Sequence, residues 1–253
     1  MKYTPMLAIL RREVHRILRV WSQTIVPPIV TSTLYILIFG YSLGSRITDV
    51  AGVTYLEFIV PGLLMMGVIM SAYMNTATSL FIAKWSKMLQ EWLVAPISYW
   101  QIIMALTFAA MFRALIVGLG VLMVSLTFTS ITIHSYLALI YFIVMTSLLF
   151  AFAGIATGLW ATNFDKMNVF STFLITPLIY LGGVFYSINM LPEFWANIAK
   201  FNPILYMVDG FRFAFIGVSD VPIIYSFFLV LILTGMFFSL CIYLFRIGYR
   251  LRT

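Results

Sequence analysis

The run Gly40-Tyr41-Ser42-Leu43-Gly44 fits Gly-x-Ser-x-Gly, the elbow that presents a serine nucleophile in α/β hydrolases. That chemistry needs a strand, a sharp turn and a helix around the serine, and a histidine within reach as base. Here the run closes a long apolar segment instead. The chain has two histidines, His15 and His134. The topology derived below puts His15 on the other side of a membrane and His134 in a separate outer loop. A hydrolase is therefore set aside, and Gly40 and Gly44 read as close-packing sites. Cys241 is the single cysteine and sits inside an apolar run, so there is neither a disulfide framework nor a Cys/His metal spacing. The sequence contains no HExxH, no CxxC, no GxGxxG and no Gly-Lys dipeptide. Without a phosphate-binding loop, this chain is not itself an ATPase, and any nucleotide energy must come from another polypeptide.

The elements around these residues belong to lipid. Of 253 residues, 63% are hydrophobic and 9% charged, and the mean hydropathy is +1.05. A soluble domain carries about 25% charged residues, so that class is excluded. Six apolar runs, about 24–44, 57–79, 101–128, 136–160, 168–188 and 221–245, are each long enough to cross a ~30 Å hydrocarbon core as a helix at 1.5 Å per residue. The expected fold is all-α: one polytopic unit over 1–253, with an amphipathic segment at 1–23, a six-span core at 24–245 and a tail at 246–253. No A-x-A-like cleavage site follows the basic first residues, so the first span is expected to serve as the insertion signal.

Charge sets the orientation. Lys2, Arg11, Arg12, Arg16, Arg19, Lys84, Lys87, Lys166, Arg246, Arg250 and Arg252 fall on one side; Arg46, Lys200 and Arg212 fall on the other. Eleven against three places both termini in the cytoplasm. The net charge of +7 thus reflects topology, not a nucleic-acid partner.

Several polar segments carry more specific expectations. Between Met6 and Val20, Leu7, Leu10, Val14, Ile17, Leu18 and Trp21 share one helical face, and Arg11, Arg12, His15, Arg16 and Arg19 share another. This reads as a helix in the cytoplasmic headgroup layer, anchoring to lipid or also bracing a partner. Pro27-Pro28 falls in the first turn of the first span, where a missing N–H does least harm. The 32 residues from Asn189 to Asp220 are apolar yet broken by Pro192, Asn202-Pro203 and Gly210, which predicts short helices dipping back toward the membrane. Asp209 and Arg212 are spaced to pair within one helical turn. Gly154-x-x-x-Gly158 reads as a close helix-packing site.

Arg113 is a charge inside the third span and needs a partner, with Glu91 and Asp165 as candidates, or a wet cavity. Asn75, Thr76 and Thr78 give the second span a polar inner end that either lines a path or bonds neighbouring helices. Arg113, Asn75 and Glu57 are the candidates for path or gate.

The loop between the second and third spans is the most informative. Apolar residues at 81, 82, 85, 88, 89, 92 and 93 form a helical stripe, Lys84, Lys87 and Glu91 lie near the opposite face, and Pro96 ends the helix. Such a helix suits a groove in a partner protein. Its sequel, Glu91-x-Leu93-x-Ala95-Pro96, resembles the signature of ABC-2 type export permeases. Phe58-Ile-Val-Pro61-Gly62-Leu63 is similar to that family as well. So is the outer segment with Gly182-Gly183, Leu191-Pro192, Trp195, Asn202-Pro203 and Asp209-Gly-Phe-Arg212, so the resemblance extends over essentially the whole chain.

The resemblance implies a six-span permease subunit of the bacterial inner membrane, with a type V exporter-like fold. It would work as a homodimer on a separate ATPase that uses ATP and Mg, and this chain would bind no cofactor. Lys84 to Glu91 would be the coupling helix, and Glu91, Leu93, Ala95 and Pro96 its hinge. Asn202, Pro203, Asp209 and Arg212 would belong to outer re-entrant helices. Membrane lipids and an unidentified exported substrate complete the expected partners. The alternative is an ATP-independent secondary transporter or channel, against which the spans lack paired intramembrane acids. A non-transporting scaffold is a third class, made less economical by the coupling-like loop.

Overall fold

The computed structural model describes residues 3–43, 50 and 52–251, with only the backbone for 41–43. Lys2, Gly44, Arg46 and Arg252, used in the motif and charge arguments above, lie outside the described residues. The chain is helical, with no named strand among the described residues.

The helices in chain order are α1 (Thr4–Arg19), α2 (Trp21–Thr24), α3 (Val26–Tyr35) continued by a π-helical stretch (Ile36–Leu43), α4 (Tyr55–Trp85), α5 (Met88–Val94) and α6 (Tyr99–Ser125). They are followed by α7 (Tyr136–Trp160), α8 (Phe164–Phe170), a π-helical turn (Ser171–Ile175), α9 (Thr176–Tyr180), α10 (Glu193–Lys200), α11 (Pro203–Ile216) and α12 (Ile223–Arg246).

The boundaries follow from local chemistry. Thr54 and Glu57 form a reciprocal capping box that starts α4, and Ser98 with Gln101 does the same for α6. Asn202 Oδ1 accepts from the amide of Ile204, and Pro203 occupies the first turn of α11. Gly217, at φ 74°, ends that helix in the left-handed conformation a glycine adopts without strain.

Among the described residues, five helical stretches are long and apolar enough to cross a membrane: Trp21–Gly40, Tyr55–Trp85, Tyr99–Ser125, Tyr136–Trp160 and Ile223–Arg246. They match five of the expected runs. The run expected at 168–188 forms instead three consecutive pieces of seven, five and five residues, ending at Tyr180. The π-helical turn shifts the hydrogen-bond register there, and Thr176 Oγ1 donates to the carbonyl of Ser171 at 2.9 Å.

The bundle is built around α4. Of its residues, Tyr73, Met65, Leu63 and Ile69 are among the most buried in the chain. The packing of α7 against it depends on Gly154 and Gly158. A side chain at 154 would collide with Thr76 and the Tyr73 carbonyl, and one at 158 would meet the Ala77 carbonyl. Thr76 Oγ1 donates to Ala151 O at 2.8 Å across the same contact. At Gly40 a side chain would meet only the flexible tip of Leu56, which can shift. The expected packing role is thus realised at Gly154 and Gly158.

One end of the bundle, here called the basic end, gathers α5, the start of α1 and the C-terminal ends of α4, α7 and α12. The opposite end carries α10, α11 and the loop 182–190.

Candidate functional site

At the basic end the continuous helix expected across 81–93 is broken. Lys87 adopts φ 60°, a left-handed conformation rare for a residue with a side chain, and divides α4 from α5. Leu89 and Trp92 of α5 are buried against Ile9, Leu80 and Ala83. The Arg12 guanidinium lies 5.3 Å from the centre of the Trp92 ring. The other face of this corner is open, with Lys87 and Glu91 exposed, Trp85 78% exposed and Val94 88%. Leu93 is half-buried beside it. Ala95 is extended at φ −66° and ψ 154°, as a residue before proline prefers, and Pro96 leads to the Ser98 cap of α6. The seven-residue α5 is therefore a short helix between two long ones, set off by breaks at Lys87 and at Ala95-Pro96.

Lys84 does not share that exposed face. It is 5% exposed and belongs to the last turn of α4. Its Nζ donates to the carbonyls of Leu159 at 2.7 Å, Ala161 at 2.9 Å and Gly158 at 3.4 Å. Arg250 donates to Trp160 O. Four successive carbonyls ending α7 are thus capped by two cations, where the helix has unmet acceptors and partial negative charge. The seven-fold apolar stripe put Lys84 with Lys87 and Glu91 because it assumed one unbroken helix. The break at Lys87 separates them.

The N-terminal helix also departs from expectation. Its bundle-facing side carries Ile9, Glu13 and Ile17, while Leu7, Leu18 and Trp21 are exposed. Glu13 is fully buried. It accepts from Ser79 Oγ at 2.6 Å and from Arg16 Nε at 3.0 Å, and pairs with Arg12 at 3.4 Å. Arg16 Nη2 donates to Asn75 Oδ1 at 3.0 Å. Asn75 and Ser79, one turn apart on α4, therefore receive α1. Asn75 joins helices here, and Glu57, in the capping box, likewise has a structural partner. Glu13 was missed as a site residue. Its spacing of four from both Ile9 and Ile17, which puts it on their stripe, was the available signal.

Arg113 pairs with neither Glu91 nor Asp165. It is 8% exposed and its Nη2 donates to the carbonyl of Thr24 at 2.9 Å. The reason is in the sequence: a helical carbonyl at 24 would receive the amide of residue 28, and residue 28 is proline. The guanidinium supplies the donor that Pro28 lacks, and so fastens α6 to the elbow between α2 and α3.

At the opposite end Arg212 is 2% exposed and fixes three elements. Nη2 donates to Gly183 O at 2.6 Å, Nε to Phe58 O at 3.4 Å, and the guanidinium lies 3.8 Å from the Phe58 ring centre. Its ion pair is with Asp220 at 4.0 Å, not with Asp209 one turn away. Asp209 instead accepts from the amides of Asp220 at 2.8 Å and Val221 at 3.1 Å, just ahead of α12. Those amides, freed by the turn, outcompete the local ion pair expected from spacing. Asp220 in turn accepts from Ser187 Oγ at 2.6 Å, the Ile188 amide at 3.0 Å and Asn189 Nδ2 at 3.2 Å. Asn202 Nδ2 donates to Leu178 O at 2.6 Å, tying α11 to α9. Asn202, Pro203, Asp209 and Arg212 thus lie along α11 or at its cap, and the three with polar side chains tie it to α9, α4, Gly183 and the turn ahead of α12. His134 packs on Phe213 beside Gly217, in keeping with a structural role.

Residues 4–216 match the ABC-2 type transporter family. The chain is 44% identical over 242 residues to the inner membrane transport permease YadH of Escherichia coli K12, covering 96% of this chain and 94% of that protein. It is 28% identical over 193 residues to nodulation protein J of Rhizobium leguminosarum bv. trifolii, covering 73% and 71% respectively. With a family match over most of its length and a full-length relative at that identity, the chain belongs to the ABC-2 type transporter family.

Proposed function

We propose that this chain is the membrane-spanning subunit of an ATP-binding-cassette exporter in a bacterial inner membrane, acting as a homodimer on a separate ATPase. The ATPase would consume ATP and Mg, and this chain would bind no cofactor of its own. The basic end would face the cytoplasm, with both termini there. The broken stretch Phe164–Tyr180 would complete six crossings, and α10 and α11 would be the outer re-entrant helices.

The observation that carries this reading is α5, a short helix set between breaks at Lys87 and Ala95-Pro96. Trp85, Lys87, Glu91 and Val94 form an apolar and charged corner facing away from the bundle, at the end where the cations gather. Leu89 and Trp92 on its other face reach the core. A push on the exposed corner would therefore be passed to α4 and α6 through packed side chains. Lys84 would extend the push to α7 through the capped carbonyls.

Affinity purification of the tagged chain from native membranes in mild detergent, followed by mass spectrometry, tests the proposal. A soluble protein with nucleotide-binding motifs should co-purify near one to one. Reversing the charges with Lys87→Glu and Glu91→Lys should remove it and abolish transport while the chain stays folded. A chain that purifies alone, and is indifferent to the reversals, would be an ATP-independent transporter.

A further inference from the structure

Two carboxylates and one guanidinium are buried together at the end opposite the basic one. Asp209 is 1% exposed, Arg212 2% and the Asp220 side chain 7%. Their partners are unequal. Asp220 has the ion pair with Arg212 and accepts three hydrogen bonds, from Ser187, Asn189 and the amide of Ile188. Asp209 has two backbone amides and, among the described residues, no cation within ion-pair range. With both acids ionised, the cluster carries one negative charge more than Arg212 can meet. A buried charge without a counter-ion is costly, and a carboxylate relieves that cost by taking a proton. Asp209, with the poorer set of partners, is where the proton goes.

The surroundings leave the choice to these three groups. Asp209 lies on α11, outside the five spanning stretches. Burial pushes its carboxyl up to about 6; the Asp220 amide, Arg212 and the Val221 amide pull it down, and the Asp220 charge pushes it up. The other titratable groups at this end are engaged elsewhere or open to the outside. On α4, Glu57 closes the capping box and Tyr55 donates to Phe185 O. Tyr141 of α7 donates to Phe227 O, Tyr180 of α9 meets Tyr35, and Lys200 of α10 donates to Asn197 Oδ1. Glu193 of α10 and Tyr225 of α12 are exposed, and His134 packs on Phe213.

What the proton does follows from the geometry. An ionised carboxylate accepts at both oxygens, and here each oxygen holds one amide of the lead into α12. A carboxylic acid turns one oxygen into a donor, so one of the two amides loses its acceptor. The bonds of Arg212, Asp220 and Asn202 to other elements do not pass through the Asp209 carboxyl. We propose that Asp209 is a proton-operated latch between α11 and the lead of α12: ionised it holds both amides, and protonated it releases one while the other ties of α11 remain. The latch needs neither an ATPase nor a cargo. Only its facing the outer compartment rests on the orientation proposed above.

Two signs distinguish it. The folded state holds this proton more tightly than the unfolded chain, so stability rises as pH falls through about 6. The local clamp weakens over the same range. Acid unfolding would lower both together.

The test uses the full chain in nanodiscs, with hydrogen exchange read by mass spectrometry at pH 7.5 and 5.5 and corrected for the intrinsic pH dependence of exchange. Protection of the Asp220 and Val221 amides should fall about tenfold at the lower pH, the worth of one hydrogen bond, while Ile188 and α4 stay unchanged. Asp209→Asn, neutral at both pH values, should show the weaker protection throughout. Relative to that variant, the thermal-unfolding midpoint of the wild-type chain should rise by about 2–3 °C from pH 7.5 to 5.5. Should Asp209→Asn fail to fold, the wild-type exchange decides alone: protection at 220 and 221 that does not change with pH overturns the proposal. So does a pH response that survives in folded Asp209→Asn, or one centred on Ile188, which would put the proton on Asp220.

Discussion

Each end of the bundle holds a buried cation on backbone carbonyls, yet the two arrangements differ in charge. Arg212 sits among Asp220, Asp209, two carbonyls and an aromatic face, so its charge is balanced and its donors are widely used. Lys84 has three carbonyls and a helix end, with no carboxylate in ion-pair range among the described residues. A balanced network of charges is costly to open, since each member leaves another unpaired. A point charge on a row of carbonyls can slide to neighbouring acceptors at small cost. Under the function proposed above, the contrast suits a basic end that moves with an ATPase and an opposite end that holds still.

The largest expected effect tests the fixed end. Arg212→Leu should lower stability by about 3–5 kcal/mol, seen as loss of folded protein in a thermal-unfolding assay. Adding Asp220→Asn should recover part of that loss if charge balance is the cause. Lys84→Met should cost less, about 1–3 kcal/mol, because it strands carbonyls and no ion. Its transport should nevertheless fall more than its stability. Equal destabilisation at the two ends would remove the distinction.

Arg113 and Pro28 allow a finer measurement. Arg113→Ala alone should cost about 1.5–3 kcal/mol, the worth of a hydrogen bond from a charged group. In a Pro28→Ala background, residue 28 offers its own amide to Thr24, and the same change should cost measurably less. A double-mutant cycle with no coupling would refute the assigned partnership. The smallest effect concerns the hinge. Lys87→Gly should raise the unfolding midpoint by roughly 1–2 °C through relief of the left-handed strain. It should also weaken coupling to an ATPase, because a looser hinge transmits less.

Much of this architecture was readable in advance. Long apolar runs gave five spans, and prolines with aromatics gave the short helices α10 and α11. Gly154 and Gly158 were readable because small residues four apart leave a groove on any helix. What spacing could not supply was the choice of partner. Asp209 and Arg212 have the right separation for a pair, and the amides ahead of α12 took the carboxylate instead. Arg113 called for a nearby acid, and a carbonyl orphaned by Pro28 was closer. The break at Lys87 was illegible because lysine carries no turn signal, and that one conformation moved Lys84 from an exposed face to the cap of α7.

The bond between Arg113 and Thr24 also joins points 89 residues apart in the chain. The carbonyl at 24 gains its donor only when α6 packs against the elbow between α2 and α3, so the entry to the first span and the middle of α6 are expected to order together.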